Sequence, residues 1–253
     1  MHEQPLRVFI GYEPTEDTAW QVCADSMLDK TSRSLLIQRL DQNALRAAGL
    51  YRRTFYKERG QRYDTTDGKP FSTEFSFTRF LVPAICLYQG HALFCDSDFL
   101  WRNDVFKLVD SIKRKFAIDS SLALACVKHQ HEPEEQTKMR AGQIQSRYSR
   151  KNWSSLMYFN CEHPSNQMLT PYMVNTQPGW WLHNMRWLDE SNIVAIDPSW
   201  NWLEGYSDLA IEPNVVHYTR GTPDVEGYEN AAYASEWNTY VFPSKAEAAV
   251  VGA

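Results

Sequence analysis

No run of apolar residues approaches the roughly 20 that a membrane-crossing helix needs, so no membrane span is expected. Met1 to Pro5 lacks the basic and then apolar stretch of a secretory leader, and the cytosol is the expected compartment. Positive charge is in deficit. A formal charge of -5 at pH 7 argues against a chain-wide grip on nucleic acid, which needs clustered Lys and Arg. No C-x-x-C pair occurs, and the five cysteines (Cys23, Cys86, Cys95, Cys126, Cys161) are odd in number and lie among apolar neighbours. They are expected to be reduced core residues rather than zinc ligands or disulfides. Internal repeats and low-complexity tracts are also missing. The glycosylation-like triplet Asn152-Trp153-Ser154 has no meaning without a secretory route.

What remains is an ordinary folded chain. Its 253 residues suffice for one sizeable α/β domain, and 43% hydrophobic with 23% charged residues sets it apart from disordered sequences. Leu6–Ile10 reads as a strand ending at Gly11-Tyr12, with Pro14-Thr15-Glu16 opening a helix. Leu35–Leu40 reads as a second strand, and the polar, aperiodic stretch Tyr51–Pro70 as a long surface loop. Phe77, Phe80, Leu81, Ala84 and Ile85 have helical spacing, with Pro83 bending that helix. Ala92–Cys95, Leu122–Val127 and Ser155–Phe159 are short apolar runs suited to buried strands, and Val215–Tyr218 reads as the last strand. Lys128–Lys151, with His129 and His131, is expected to form a lid. Strands alternating with helices imply a largely parallel sheet covered on both faces, with ligands beyond the carboxyl ends of its strands.

Chemistry concentrates at Asp96-Ser97-Asp98. Two carboxylates one residue apart at the end of a buried strand can hold a hard divalent cation, which neutralises bound phosphates. Asp-x-Asp alone says little, since a chain this long yields on the order of one chance match. Position raises it: the pair lies between Ala92–Cys95 and the apolar Phe99-Leu100-Trp101, where unpaired carboxylates are costly to desolvate. The competing reading is a solvated turn with a helix-capping Asp.

In order along the chain, Val8-Phe9-Ile10-Gly11-Tyr12, Ser72 to Pro83, Ala92 to Asp98, Trp153 to Asn160 and Val216-His217-Tyr218 together resemble the bacterial GT-A glycosyltransferases related to glycosyltransferase family 8. The resemblance implies a GT-A type α/β fold: one Rossmann-like domain with a mostly parallel mixed sheet flanked by helices. Residues 1–110 would then hold the nucleotide and 111–253 the acceptor side. It implies manganese (or magnesium) bound by Asp96, Asp98 and His217. It further implies a nucleotide-sugar donor, UDP-linked, with Gly11 and Tyr12 beside the uracil, Arg79 approaching the donor, and Ser97, Ser154 and Ser155 lining it. The sugar would pass, with retention of configuration, to a glycan or other hydroxyl acceptor.

Each inherited role has a plainer alternative. His217 can be a packed histidine, Arg79 can salt-bridge to Glu74 on its own helix, and Tyr12 can merely pack at a strand end. Two departures from the family stand out. No Lys follows the late His, so Arg220 or the Gly221 backbone is left to hold the diphosphate, and the Trp180-Trp181-Leu182-His183-Asn184 stretch lacks the acidic residues expected near the reacting centre. The catalytic side chain is therefore unassigned. Trp180, Trp181, Trp187, Trp200 and Trp202 offer platforms for an acceptor sugar or simply fill the core. The rivals are a haloacid-dehalogenase-type phosphatase, whose Asp-x-Asp normally lies near the chain start, and a domain that binds sugar nucleotide or glycan without turnover.

Overall fold

A computed structural model describes residues 4–130, 137–138, 143–144 and 150–242. In chain order the strands are β1 Leu6–Gly11, β2 Leu35–Leu40, β3 Phe55–Glu58, β4 Gln61–Asp64, β5 Pro70–Phe71, β6 His91–Cys95, β7 Phe99–Trp101, β8 Leu124–Cys126, β9 Thr137–Lys138, β10 Gln143–Ile144, β11 Leu156–Asn160, β12 Ile193–Ala195, β13 Trp202–Leu203 and β14 Val215–His217. Six of them form the main sheet, in the order β12-β8-β11-β6-β1-β2. β1 runs parallel to β2 and β6, and β12 parallel to β8, while β11 runs antiparallel to both of its neighbours. The sheet is thus mixed, as the GT-A type requires.

Alternation along the central strands builds two cores. Phe9, Phe94 and Phe159 face a layer that includes Phe80, Leu182 and Trp187, whereas Val8, Ile10, Leu93 and Cys95 face the helices Asp17–Lys30 and Val105–Ile118. Each of these buried aromatic side chains contributes about 2–3 kcal/mol of transfer free energy. All five cysteines are free and buried, as their apolar settings suggest.

β14 is not part of the main sheet. It pairs with β7 and β13 in a separate three-stranded sheet, which packs through Leu100, Trp202, Val216 and Tyr218 on Trp237. The chain passes from one sheet to the other at Asp96-Ser97-Asp98, and that crossing creates the site.

The Tyr51–Pro70 stretch departs from its expected form as a surface loop: β3, β4 and β5 make a small antiparallel sheet. Its polar sequence hid the strands because it is held by charge rather than an apolar stripe. Arg53 and Asp64 form an ion pair with each side chain only 1% exposed, and Arg53 also donates to the carbonyls of Val174 (2.9 Å) and Gln177 (2.7 Å), where the helix Pro171–Thr176 ends. Tyr56 and Tyr63 stack across the strands. The helix expected around Pro83 is broken into Phe75–Thr78, a 3-10 turn Arg79–Leu81 and Val82–Ile85, with Pro83 in the first turn of the last piece. Most of the expected lid at Lys128–Lys151 lies outside the described residues.

Removing one partner of a buried pair strands the other charge. Arg53→Met should lower unfolding free energy by about 3–5 kcal/mol, as read by urea denaturation, whereas replacing the exposed pair Lys30 and Asp29 should change it by less than about 1 kcal/mol.

Candidate metal and donor site

Backbone pairing places each of the principal side chains. The amide of Asp96 donates to the carbonyl of Ser155 (2.9 Å), extending the β6–β11 ladder by one rung, so the Asp-x-Asp begins opposite the serine pair. In the second sheet His217 lies opposite Phe99, and the Tyr218 amide donates to the Asp98 carbonyl (2.9 Å). Asp96, Asp98 and His217 are thereby brought together, all buried, each offering a ligand atom within 4.8 Å of the others. A single cation with bonds of roughly 2.0–2.4 Å can span such separations.

Hydrogen-bond polarity decides what His217 presents. Ser155 donates its one hydroxyl proton to the carbonyl of Asn152 (2.7 Å), so it must accept from the amide nitrogen of Asn201 (2.9 Å). That orientation turns the Asn201 carbonyl oxygen toward His217 Nδ1, 2.8 Å away, and a carbonyl oxygen can only accept. The ring proton therefore sits on Nδ1. In the neutral ring Nε2 carries a lone pair, 3.3 Å from Asp98 Oδ1. Two lone pairs face one another there unless a cation lies between them, and a ring proton held by a neighbouring carbonyl is what orients a metal-binding histidine.

Arg79 does not pair with Glu74. Its Nη1 lies 2.7 Å from Asp96 Oδ1 and donates to the Ser154 carbonyl (2.9 Å), while Nε donates to the Phe75 carbonyl (3.2 Å). It sets a positive charge against the Asp96 carboxylate.

A cleft opens on this corner, lined by Arg79, Asp96, Ser154, Ser155, Ser76 and His183 among others. Asp98 and His217 lie behind it, 2% and 0% exposed. Of the expected donor-binding residues, Arg79, Ser154 and Ser155 thus come together in the cleft, and Gly11, Tyr12, Ser97, Arg220 and Gly221 do not line it.

Those five have identifiable surroundings. A Cβ on Gly11 would stand 2.5 Å from the Phe75 ring, so glycine there permits a close approach of strand and helix. Tyr12 hydrogen-bonds Asp17 (3.0 Å), Arg39 lies 4.1 Å over its ring, and the Trp20 ring meets it at 89°. Ser97 is 1% exposed, and its hydroxyl has no hydrogen-bond partner among the described residues. Arg220 pairs with Glu204 (2.8 Å), and a Cβ on Gly221 would stand 2.6 Å from the Tyr228 ring.

Sequence reasoning missed Arg150 and Lys151, which also line the cleft, Arg150 while paired with Glu190. The adjacent basic pair just ahead of Trp153-Ser154-Ser155 was the available signal. It also missed Asn201 and His183, whose roles depend on contacts no local pattern encodes. His183 packs edge-on to Phe80 and meets Ser154 Oγ through Nδ1 at 3.0 Å. Burial, reinforced by Arg79, Lys151 and Arg53, holds its pKa well below the ordinary histidine value. The ring is neutral and a poor base.

Comparison with known proteins places this geometry in context. No family model matches the sequence. Protein CDI of Arabidopsis thaliana is 42% identical over 240 residues, covering 93% of this chain and 85% of that protein. Among solved structures, the apo WbbM bifunctional glycosyltransferase superposes with a TM-score of 0.60 at 10% identity, covering 99% of this chain and 52% of that one. GlyE of Streptococcus pneumoniae gives 0.57 at 14% identity, covering 96% and 61%. LgtC, a galactosyltransferase in complex with donor and acceptor sugar analogues, gives 0.53 at 12% identity, covering 93% and 95%. The chain therefore spans about half of WbbM and three fifths of GlyE. At these identities the likeness establishes the GT-A fold, not the reaction.

Neutral burial of His183 has a measurable consequence. In the unfolded chain a histidine takes up a proton near pH 6.5; in the fold His183 does so only at lower pH, so the unfolded state binds more protons as pH falls. Its contribution is fully present above about pH 6.5 and lost below it. Thermal melts should show the melting temperature dropping between roughly pH 7 and 5, and His183→Phe should remove part of that drop.

Proposed function

The chain belongs to the family of the Arabidopsis thaliana Protein CDI, and from its GT-A fold and its buried acid–histidine cluster we propose that it is a metal-dependent glycosyltransferase, related to family 8, acting on a UDP-sugar. The observation that carries this is the buried Asp96–Asp98–His217 cluster with the imidazole proton fixed on Nδ1 by Asn201. The residues fit a hard divalent cation, manganese or magnesium, which when bound would neutralise the donor diphosphate and the charge developing on the leaving group.

The chain's own groups do the rest. Arg79 holds Asp96, and Lys151, with Arg150 beside it although paired with Glu190, is the cleft's candidate for the charge that the missing Lys after His217 would otherwise give. Tyr12 is the ring assigned to stack on uracil, and the Ser97 hydroxyl, without a hydrogen-bond partner among the described residues, is assigned to the nucleotide. Ser154 and Ser155 line the sugar. Among the described lining residues Asp96 is the one carboxylate, and it is engaged with Arg79. Among the described lining residues no further carboxylate stands ready as a nucleophile on the sugar, and His183 is too weak a base to take the acceptor's proton. That proton then passes to the departing phosphate oxygen, which supports attack from the leaving-group side and retention of configuration. A glycan or other hydroxyl compound is the acceptor. The five buried, unlinked thiols agree with a reducing compartment such as the cytosol.

The phosphatase reading is disfavoured. Its Asp-x-Asp nucleophile must be free to attack phosphorus, whereas Asp96 is held by Arg79 and Asp98 faces His217.

Calorimetry with manganese should show UDP binding more tightly than ADP or GDP. Asp98→Asn should remove the manganese dependence of UDP affinity. Asn201→Ala, which touches no ligand but releases the His217 ring, should weaken manganese binding by roughly 10–100-fold. Equal affinity for the three nucleotides would rule out the uracil assignment, and unchanged manganese affinity in Asn201→Ala would show that Asn201 does not orient His217 for the metal.

A further inference from the structure

The Ser154 hydroxyl has a fixed direction. A neutral imidazole carries one proton, and His183 hydrogen-bonds the backbone carbonyl of Ser76, an acceptor that must receive that proton. The 3.0 Å bond between Ser154 Oγ and His183 Nδ1 therefore runs from the hydroxyl to the ring. Ser154 has given away its only proton. Toward the cleft its oxygen can only accept.

Its surroundings strengthen that polarity. Arg79 donates to the Ser154 carbonyl and pairs with Asp96, so a carboxylate stands beside the serine on the same wall. Ser155, the neighbour in sequence, has spent its proton on Asn152 and accepts from Asn201, so its oxygen is already engaged. With Asp96 and Ser155 engaged, Ser154 Oγ is the acceptor this wall presents to whatever lies in the cleft.

We propose that Ser154, oriented by His183, is a specificity determinant that accepts a hydrogen bond from one ring hydroxyl of the donor sugar. This rests on the glycosyltransferase reading and adds to it the chemical class selected at that position: a group that donates a proton. A sugar bearing hydrogen, fluorine or an ether oxygen there leaves the serine lone pairs buried without a partner. His183 is a positioning residue. Its low basicity is what the role needs, because a protonated ring would reverse the bond and make the serine a donor.

The test uses the full chain with manganese and measures affinity by calorimetry for UDP, UDP-glucose and UDP-galactose. It adds their singly deoxygenated and singly fluorinated analogues, one for each ring hydroxyl. Affinity is preferred to turnover because fluorine beside the anomeric carbon slows bond cleavage by itself. At one ring position both the deoxy and the fluoro analogue should bind roughly tenfold more weakly than the parent, since fluorine cannot donate. Ser154→Ala should erase that discrimination and leave the other positions as they were. His183→Phe should free the serine proton, so that the fluoro analogue binds better than the deoxy one. If the fluoro analogue matches the parent in the unaltered protein, or if the discrimination persists in Ser154→Ala, the proposal is wrong. Should UDP bind with manganese while no ring position matters, this proposal falls and the nucleotide-binding reading stands. Failure of UDP itself to bind would overturn both.

Discussion

Burying two carboxylates against an imidazole is the constraint around which the rest of the molecule is arranged. Asp96 and Asp98 are 3% and 2% exposed and His217 is fully buried, so each ionised carboxylate forfeits several kcal/mol of hydration. Only a compensating charge makes that arrangement stable. Arg79 supplies part of it from a helix broken just enough to carry its guanidinium to Asp96 while its Nε still donates to Phe75. The remainder falls to the space between Asp98 and the His217 lone pair.

Topology is what makes such a cluster attainable. Had β6 continued in the main sheet, alternation would have sent Asp96 and Asp98 to the same face and left His217 elsewhere. Instead the chain changes sheets between β6 and β7, and β14 pairs antiparallel with β7, bringing a residue more than a hundred positions away against Asp98. The network Asn152–Ser155–Asn201–His217 then sets protons as well as positions. Ser154–His183, one residue away, does the same for a hydroxyl facing the cleft. The two histidines are used in opposite senses: His217 offers its lone pair outward, and His183 uses its own to claim a proton from serine.

The parts of this site that were legible in the sequence are those that end apolar runs. Ala92–Cys95 followed by Asp-Ser-Asp, and Val215-Val216 followed by His, are local signals, because a buried strand must be apolar and whatever polar residue follows it lies at the sheet's edge. Arg79 was readable as a candidate but not in its pairing, since Glu74 is nearer in sequence than Asp96. Arg150 and Lys151 were signalled only by their adjacency ahead of Trp153, and Asn201 and His183 were not readable in their roles, because their neighbours come from distant segments. The β3–β5 sheet escaped for a different reason: Arg53 and Asp64 stabilise it from within, so its sequence carries the polarity of a loop.

Anomalous diffraction from crystals grown with manganese and UDP tests the metal site most directly. The expected result is a single manganese peak bonded to carboxylate oxygens of Asp96 and Asp98 and to His217 Nε2, with Asn201 still accepting from Nδ1. Manganese bound elsewhere, or at the carboxylates with His217 Nε2 turned away from it, would contradict the site described here.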